Sequence, residues 1–516
     1  MKSQMRTSNS IKNSIAALTL NAISVIISFI AQKMFLTILN AEYLGVNGLF
    51  SNVISMISIA ELGIGEIIIF HLYKPIAENN KERVKTLLGL YKKAYNTIAF
   101  IVLCLGLCFI PFLGFFIGET TLNLNFTLVY ILFLLQTVIS YILTYKRSIL
   151  YANQKNYIIN IVHIFYLVIL NVVQLLILFL TKNYYIYLAI KIVLILLENI
   201  IITIISNKLY PYITDKNIKK LDKKTEKDIF ARIKAQLLHK IGGVVVNSTD
   251  NIIISKFFGV ITTGLYSNYF LIINAVKSLF SQILSSITAS VGNLLVEADI
   301  EKTFSVYKKI RFLNFWIATF CSVSIFVVIQ SFITLWIGSE YLLSIFVLGV
   351  LVLNLYQKMM RSCNDLFLAG AGICVENKYV PLVESILNIV FSIICLKIFG
   401  LAGVFMGTII SGLALWCYSY PKFVYKKLFN RSYKDYAKGT IGYILLFILI
   451  ATITYYISLF FIVENALLQV VINVIICLIV PNLILFIIFR KTDEFKYFKK
   501  LVSNIFNKVF KKIKRK

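Results

Sequence analysis

The sequence predicts an all-α, polytopic membrane protein of about 14 transmembrane helices. They are read as two six-helix lobes, related by a pseudo-two-fold axis along the membrane normal, plus two C-terminal helices. Three observations carry this. Apolar runs near 20 residues recur along the whole chain, and each can cross a hydrocarbon core of about 30 Å as a helix. Charged residues make up 15% of the 516, against about 25% in soluble domains. Finally, a stretch of chain occurs twice. GLFSN at Gly48 to Asn52 returns as GLYSN at Gly264 to Asn268, and YKK at Tyr91 returns at Tyr307. Both lie 216 positions after their first copy (264 against 48, 307 against 91).

In order, the spans fall near 14–39, 45–71, 94–117, 124–145, 157–180, 184–206, 235–258, 263–290, 312–335, 341–361, 379–399, 401–421, 440–462 and 466–489. The offset makes spans seven and eight repeats of one and two, which divides the chain. Residues 1–206 form the N-lobe and 207–233 a basic cytoplasmic linker. Residues 234–425 form the C-lobe, 426–489 the last two spans and 490–516 a basic amphipathic tail. The first span is expected to be retained, because no small-residue cleavage site closes it.

Orientation follows from the cations. With both termini in the cytoplasm, most of the 52 Lys and Arg lie inside, 11 of them in the tail, and the outer loops carry acids such as Glu42, Glu119 and Glu340. The net charge of +29 is therefore a topology signal and an attraction to the anionic inner leaflet. Nucleic acid is not needed to explain it. In the tail, Phe495, Phe498, Val502, Ile505 and Val509 recur three or four apart between lysines, a pattern that lies on a membrane surface. The outer loops are too short to hold a catalytic domain. The eight Cys lie mostly in apolar runs without a CxxC pair, and no phosphate-cradling GxxxxGK[ST], HExxH or GxSxG is present. The chain is read as a non-enzyme without cofactor, driven by a gradient or a partner.

Charges at membrane depth cost about 2.5–3.5 kcal/mol each and ask for a partner or a wet cavity. The cavity candidates are Lys33, Glu61, Glu66, Asn247, Asp250 and Lys277. Lys191, Glu198, Glu384 and Lys397 are also buried in apolar runs; Lys397 can snorkel to a span end. Glu61 and Lys277 are repeat-equivalent and should face equivalent directions. They either pair across the axis as a gate or pair locally, each within its half. Asp250 sits in NSTDN (247–251), a polar cluster that could wet a sugar, hold a cation or pack helices together. ELGIGE (61–66) places two glycines inside span two, which loosens it or admits a close neighbour.

Several of these segments resemble one family. SIKNS (10–14), EYLGVNGLFSN (42–52), ELGIGEIIIFHLYKPIA (61–77), STDNIIISKFFG (248–259) and GLYSNY (264–269) are similar to bacterial polysaccharide transporters, the flippases for lipid-linked oligosaccharide repeat units. That family shares a superfamily with multidrug exporters and lipid II flippases. The resemblance implies two lobes around a central cavity lined by spans one, two, seven and eight. It implies a polyprenyl-pyrophosphate-linked oligosaccharide carried from inner to outer leaflet for capsule or another surface polymer. Relatives often have a cationic cavity that takes the pyrophosphate; this chain departs from the arginine-rich versions, its cavity cations being the lysines Lys33 and Lys277, with acids nearby. The implied setting is the plasma membrane, and the implied partners are the lipid-linked substrate, membrane lipid, a polysaccharide polymerase and assembly proteins. The complete internal repeat makes a monomer the expected state. Coupling to a proton or sodium gradient through Glu61, Glu66 or Asp250 is the alternative to uniport. The competing function on the same fold is a cation-coupled multidrug antiporter, which the cavity lysines disfavour.

Overall fold

The computed structural model describes residues 2–61, 64–215, 221–285, 287–373, 376–377 and 379–513. All secondary structure among them is helical. Long helices start where a short polar side chain accepts the first free amides. After α1 (Lys2–Ile38), Asn40 accepts from the amides of Glu42 and Tyr43 and opens α2 (Ala41–Ile57). Helix α3 is Ile64–Ala77, and Asn80 caps α4 (Lys81–Phe109). Asn125 caps α5 (Phe126–Tyr141); α6 is Asn156–Thr181, and Asn183 caps α7 (Tyr184–Leu209). Helix α8 runs from Lys223 to Ser285, followed by α9 (Thr288–Glu297). Asp299 and Ser344 cap α10 (Ile300–Trp336) and α11 (Ile345–Gly370). Helix α12 is Val380–Phe399, and α13 (Leu401–Ala414) widens into a π-helix over Leu415–Leu428. Ser432 and Asn465 cap α14 (Tyr433–Leu459) and α15 (Ala466–Phe489), and α16 is Asp493–Ile513.

Among the described residues, 11 helical runs are long and apolar enough to cross a membrane. The difference from the expected 14 lies in three places. The expected seventh and eighth spans are two helices that meet across a kink at Gly259, whose φ of 78° and ψ of 169° lie outside helical values, so that they count as one run, α8. The second is divided: α2 ends in a 3₁₀ turn at Ser58–Glu61 and the helix resumes at Ile64, as the glycines of ELGIGE allow. The tenth is α11, which carries Lys358, Arg361 and Asp365 inside the helix.

The chain forms two compact units, 1–267 and 268–516. In the first, the core is built from α2, α3, α4 and α5, with Leu49, Phe50, Ile68, Leu72, Val102, Tyr130 and Leu134 all buried. In the second, Arg311 is a buried anchor. Its guanidinium donates to the hydroxyls of Tyr425 and Thr440 and lies 5.3 Å from the Tyr443 ring, tying α14 and the π-helix to α10. The start of α16 docks through Phe495 on Trp316 and Phe498 on Phe312, so the tail's first apolar residues meet protein.

Candidate functional site

In the second unit, three cations come together. Lys277 on α8 lies within electrostatic range of Lys358 and Arg361 on α11. The spacing of 358, 361 and 365 is three and then four residues, which puts Lys358, Arg361 and Asp365 on one helix face. Arg361 forms a two-bond fork with the buried Glu384 of α12, at 2.5 and 3.1 Å. Its Nε donates to the Tyr420 hydroxyl at 3.3 Å, and that hydroxyl donates to Asp365 at 2.8 Å. The π-helix supplies Tyr420. A π turn is rare and occurs often at functional sites, since the extra residue re-aims side chains.

The same unit holds an apolar cavity of about 300 Å³ between α8, α10 and α15, lined by Ile272, Val276, Phe320, Ile325, Phe332 and Leu478 among others. The second of the last two spans thus forms one wall of it.

In the first unit, Glu61 ends the 3₁₀ turn and accepts from the Tyr95 hydroxyl at 3.4 Å, with the Tyr141 hydroxyl also bonded to it. Tyr91 packs edge-on against Tyr95, with ring centroids 4.8 Å apart. Glu61 thus faces α4 and the end of α5. Glu61 and Lys277 each face groups within their own unit. Asp250 is buried beside Tyr266, with Ser248, Thr249 and Asn251 buried around it. The Asn251 side-chain oxygen has no hydrogen-bond partner. Lys33 is exposed on α1. The side chains of Glu66 and Asn247 lie outside the described ones.

Glu198 on α7 is held by Arg147 at 3.2 Å and His163 at 2.9 Å, a lock within the first unit. The seven described cysteines are free, and no cluster among the described residues could hold a metal ion.

The first unit also contains a seam of backbone contact. A Cβ on Gly45 would lie 1.7 Å from the Val260 carbonyl oxygen, and one on Gly264 would lie 1.9 Å from that of Ala41. One on Gly118 would lie 2.1 Å from that of Ser255. Beside the seam, the buried Glu42 carboxylate accepts from Thr120 Oγ1 (2.7 Å), the Thr121 amide (2.5 Å) and Thr121 Oγ1 (2.7 Å). Burial pushes this carboxyl up, but the hydrogen bonds from Thr121 and Thr120 outweigh it and hold the group below its ordinary value.

The sequence offered Glu61, Asp250 and Lys277 as candidates but did not single out Lys358, Arg361 and Asp365. They fall at or beyond the end of the expected tenth span and were read as cytoplasmic charge. Their three-and-four spacing was the signal that could have found them.

No family model and no curated protein matches the chain. Solved structures do. A lipid II flippase, MurJ, in an inward closed conformation aligns over 93% of this chain and 99% of its own length, with a TM-score of 0.61 at 16% identity. An inward-facing multidrug resistance MATE family transporter of the MOP superfamily aligns over 79% and 95%, with a TM-score of 0.57 at 17% identity. A MATE transporter in a bent conformation aligns over 79% and 93%, at 0.50 and 14%. What is shared at these identities is the fold.

Proposed function

We propose that this multi-pass membrane protein, which has the fold of flippases and exporters, moves polyprenyl-pyrophosphate-linked oligosaccharide repeat units from inner to outer leaflet for a capsular or other surface polysaccharide. The observation that carries the reading is the grouping of Lys277, Lys358 and Arg361. Glu384 balances Arg361, and an anion would relieve the repulsion that remains around Lys277 in these apolar surroundings. A pyrophosphate diester carries about two negative charges and suits that place; a cationic drug does not. The apolar cavity beside α15 offers surface of the kind a polyprenyl chain requires. The drive is available without a cofactor. Outward movement of about two negative charges gains roughly 5 kcal/mol at 100 mV, cytoplasm negative.

The test is a strain lacking the gene. The expected result is accumulation of lipid-linked repeat units on the inner leaflet with loss of surface polymer. Drug sensitivity without accumulation would replace this reading by the multidrug antiporter, for which buried Asp250 would be the coupling acid.

A further inference from the structure

The first unit holds a second cationic place, which the transport reading does not use. A cavity of about 320 Å³ lies between the starts of α4 and the ends of α5 and α7. Lys85, Lys92 and Lys146 line it together with Thr203, Asn207 and Asp215. Among the described residues, Asp215 is its one acid and pairs with Lys85 at 2.7 Å, so this lining carries a net charge of about +2. Lys146 is 6% exposed, an unusual burial for an ammonium. It donates to the Asn207 side-chain oxygen at 2.9 Å and to the Ile213 carbonyl at 3.2 Å, using two of the three donors an ammonium has. Lys92 makes no ion pair or hydrogen bond among the described residues. Leu88, Gly89, Tyr145 and Ile213 form an apolar wall.

The grouping is not a by-product of the internal repeat. Within the repeated stretch, the position equivalent to Lys85 is Glu301, which is tied to Arg431 at 2.6 Å, and the one equivalent to Lys92 is Lys308. Three lysines around a cavity point to a ligand rather than to general charge at a membrane edge.

We propose that this cavity binds a phosphate group, supplied by the headgroup of an anionic phospholipid in the leaflet beside it. The three ammonium groups meet the phosphate oxygens, and the apolar wall meets the glycerol and the first acyl carbons. Basic pockets between transmembrane helices on the cytoplasmic side take such headgroups. The ends of α4, α5 and α7 would then be joined through a lipid.

The test uses the full-length protein, delipidated in detergent. Its thermal unfolding and its bound-lipid mass are followed with phosphatidylglycerol, with phosphatidylcholine of the same chains, and with inorganic phosphate. Phosphatidylglycerol is expected to raise the unfolding temperature and phosphatidylcholine is not. Lys92→Ala should weaken the phosphatidylglycerol effect roughly tenfold in concentration, the scale of one charge-assisted hydrogen bond. Lys308→Ala should leave it unchanged. Lys146→Met should weaken it further if that variant folds; the exposed Lys92 keeps the test open if it does not. Stabilisation by inorganic phosphate alone, lost in Lys92→Ala, would support the phosphate site with a soluble source. Equal stabilisation of wild type and Lys92→Ala by phosphatidylglycerol would overturn the proposal.

Discussion

Arg361 and Lys277 lie in one cluster but should fail differently. Arg361 is committed to Glu384, and removing one partner of a buried pair leaves the other uncompensated, at about 3–5 kcal/mol. Arg361→Ala is expected to lower stability in detergent unfolding, and adding Glu384→Leu should recover most of the loss without restoring transport. Lys277 has cations as neighbours, so Lys277→Ala should leave protein level near wild type while surface polymer falls about tenfold, the scale of one ionic contact. Unchanged polymer in that variant would remove Lys277 from the substrate path. Glu42 gives a pH signature. Its carboxyl is held below its ordinary value in the folded protein, so its stabilisation is full above that value and disappears as pH falls through the folded one. Glu42→Gln should lower the unfolding temperature at pH 7, and the gap to wild type should close as pH falls through the carboxyl's lowered folded value. Candidate residues stood out where the repeat pointed to them, as at Glu61 and Lys277. They were hidden where a charge sat at the edge of an apolar run, because Lys358 and Arg361 read equally well as topology.

The helices themselves were legible from apolar length, but their joints were not. Gly259 lies in FFGV, where composition cannot separate a loop of several residues from a kink at one residue; only the positive φ shows that two helices meet there. The π-helix at Leu415–Leu428 was invisible for a related reason: its apolar and aromatic residues satisfy α-helical spacing equally well. The contact of α2 with α8 was half visible, since Gly264 belongs to the repeated motif and Gly45 to the quoted EYLGVNG stretch. Substituting either should be costly, because the clash is with backbone. Gly45→Val or Gly264→Val is expected to destabilise the protein by about 3 kcal/mol or more, read as loss of folded protein on size exclusion. Gly48→Ala, which would meet only the Ser267 hydroxyl at 3.0 Å, should be far milder. Equal loss in all three variants would mean that the seam is not special.

At the scale of the molecule, the all-helical architecture was legible in the sequence, and the two repeat-equivalent charges differ in their surroundings. One half meets its second-helix charge with tyrosine hydroxyls around Glu61; the other meets it with cations around Lys277. These local surroundings predict the outcome of a charge exchange. Glu61→Lys combined with Lys277→Glu should not restore surface polymer lost in the single variants, because a lysine among tyrosine hydroxyls and a glutamate beside two cations both change their own half. Rescue by the double variant would mean that the two residues act on each other. The architecture could be read from one sequence because apolar length marks each helix. The charge pattern could not, because a buried cation is explained only by what surrounds it.

The glycine seam has a further consequence, for the speed with which the first unit can rearrange. Gly45, Gly118 and Gly264 meet carbonyl groups directly, so forming the seam freezes no side-chain rotamer. Most helix interfaces must order long side chains each time they close. When it parts, this one would give up close van der Waals contact and the hydrogen bond from the Ser255 hydroxyl to the Phe116 carbonyl, with no long side chain to reorder at the three glycines when it re-forms. It combines high specificity of fit with a small entropic barrier, the combination a part needs if it is to make and break the same contact once per turnover.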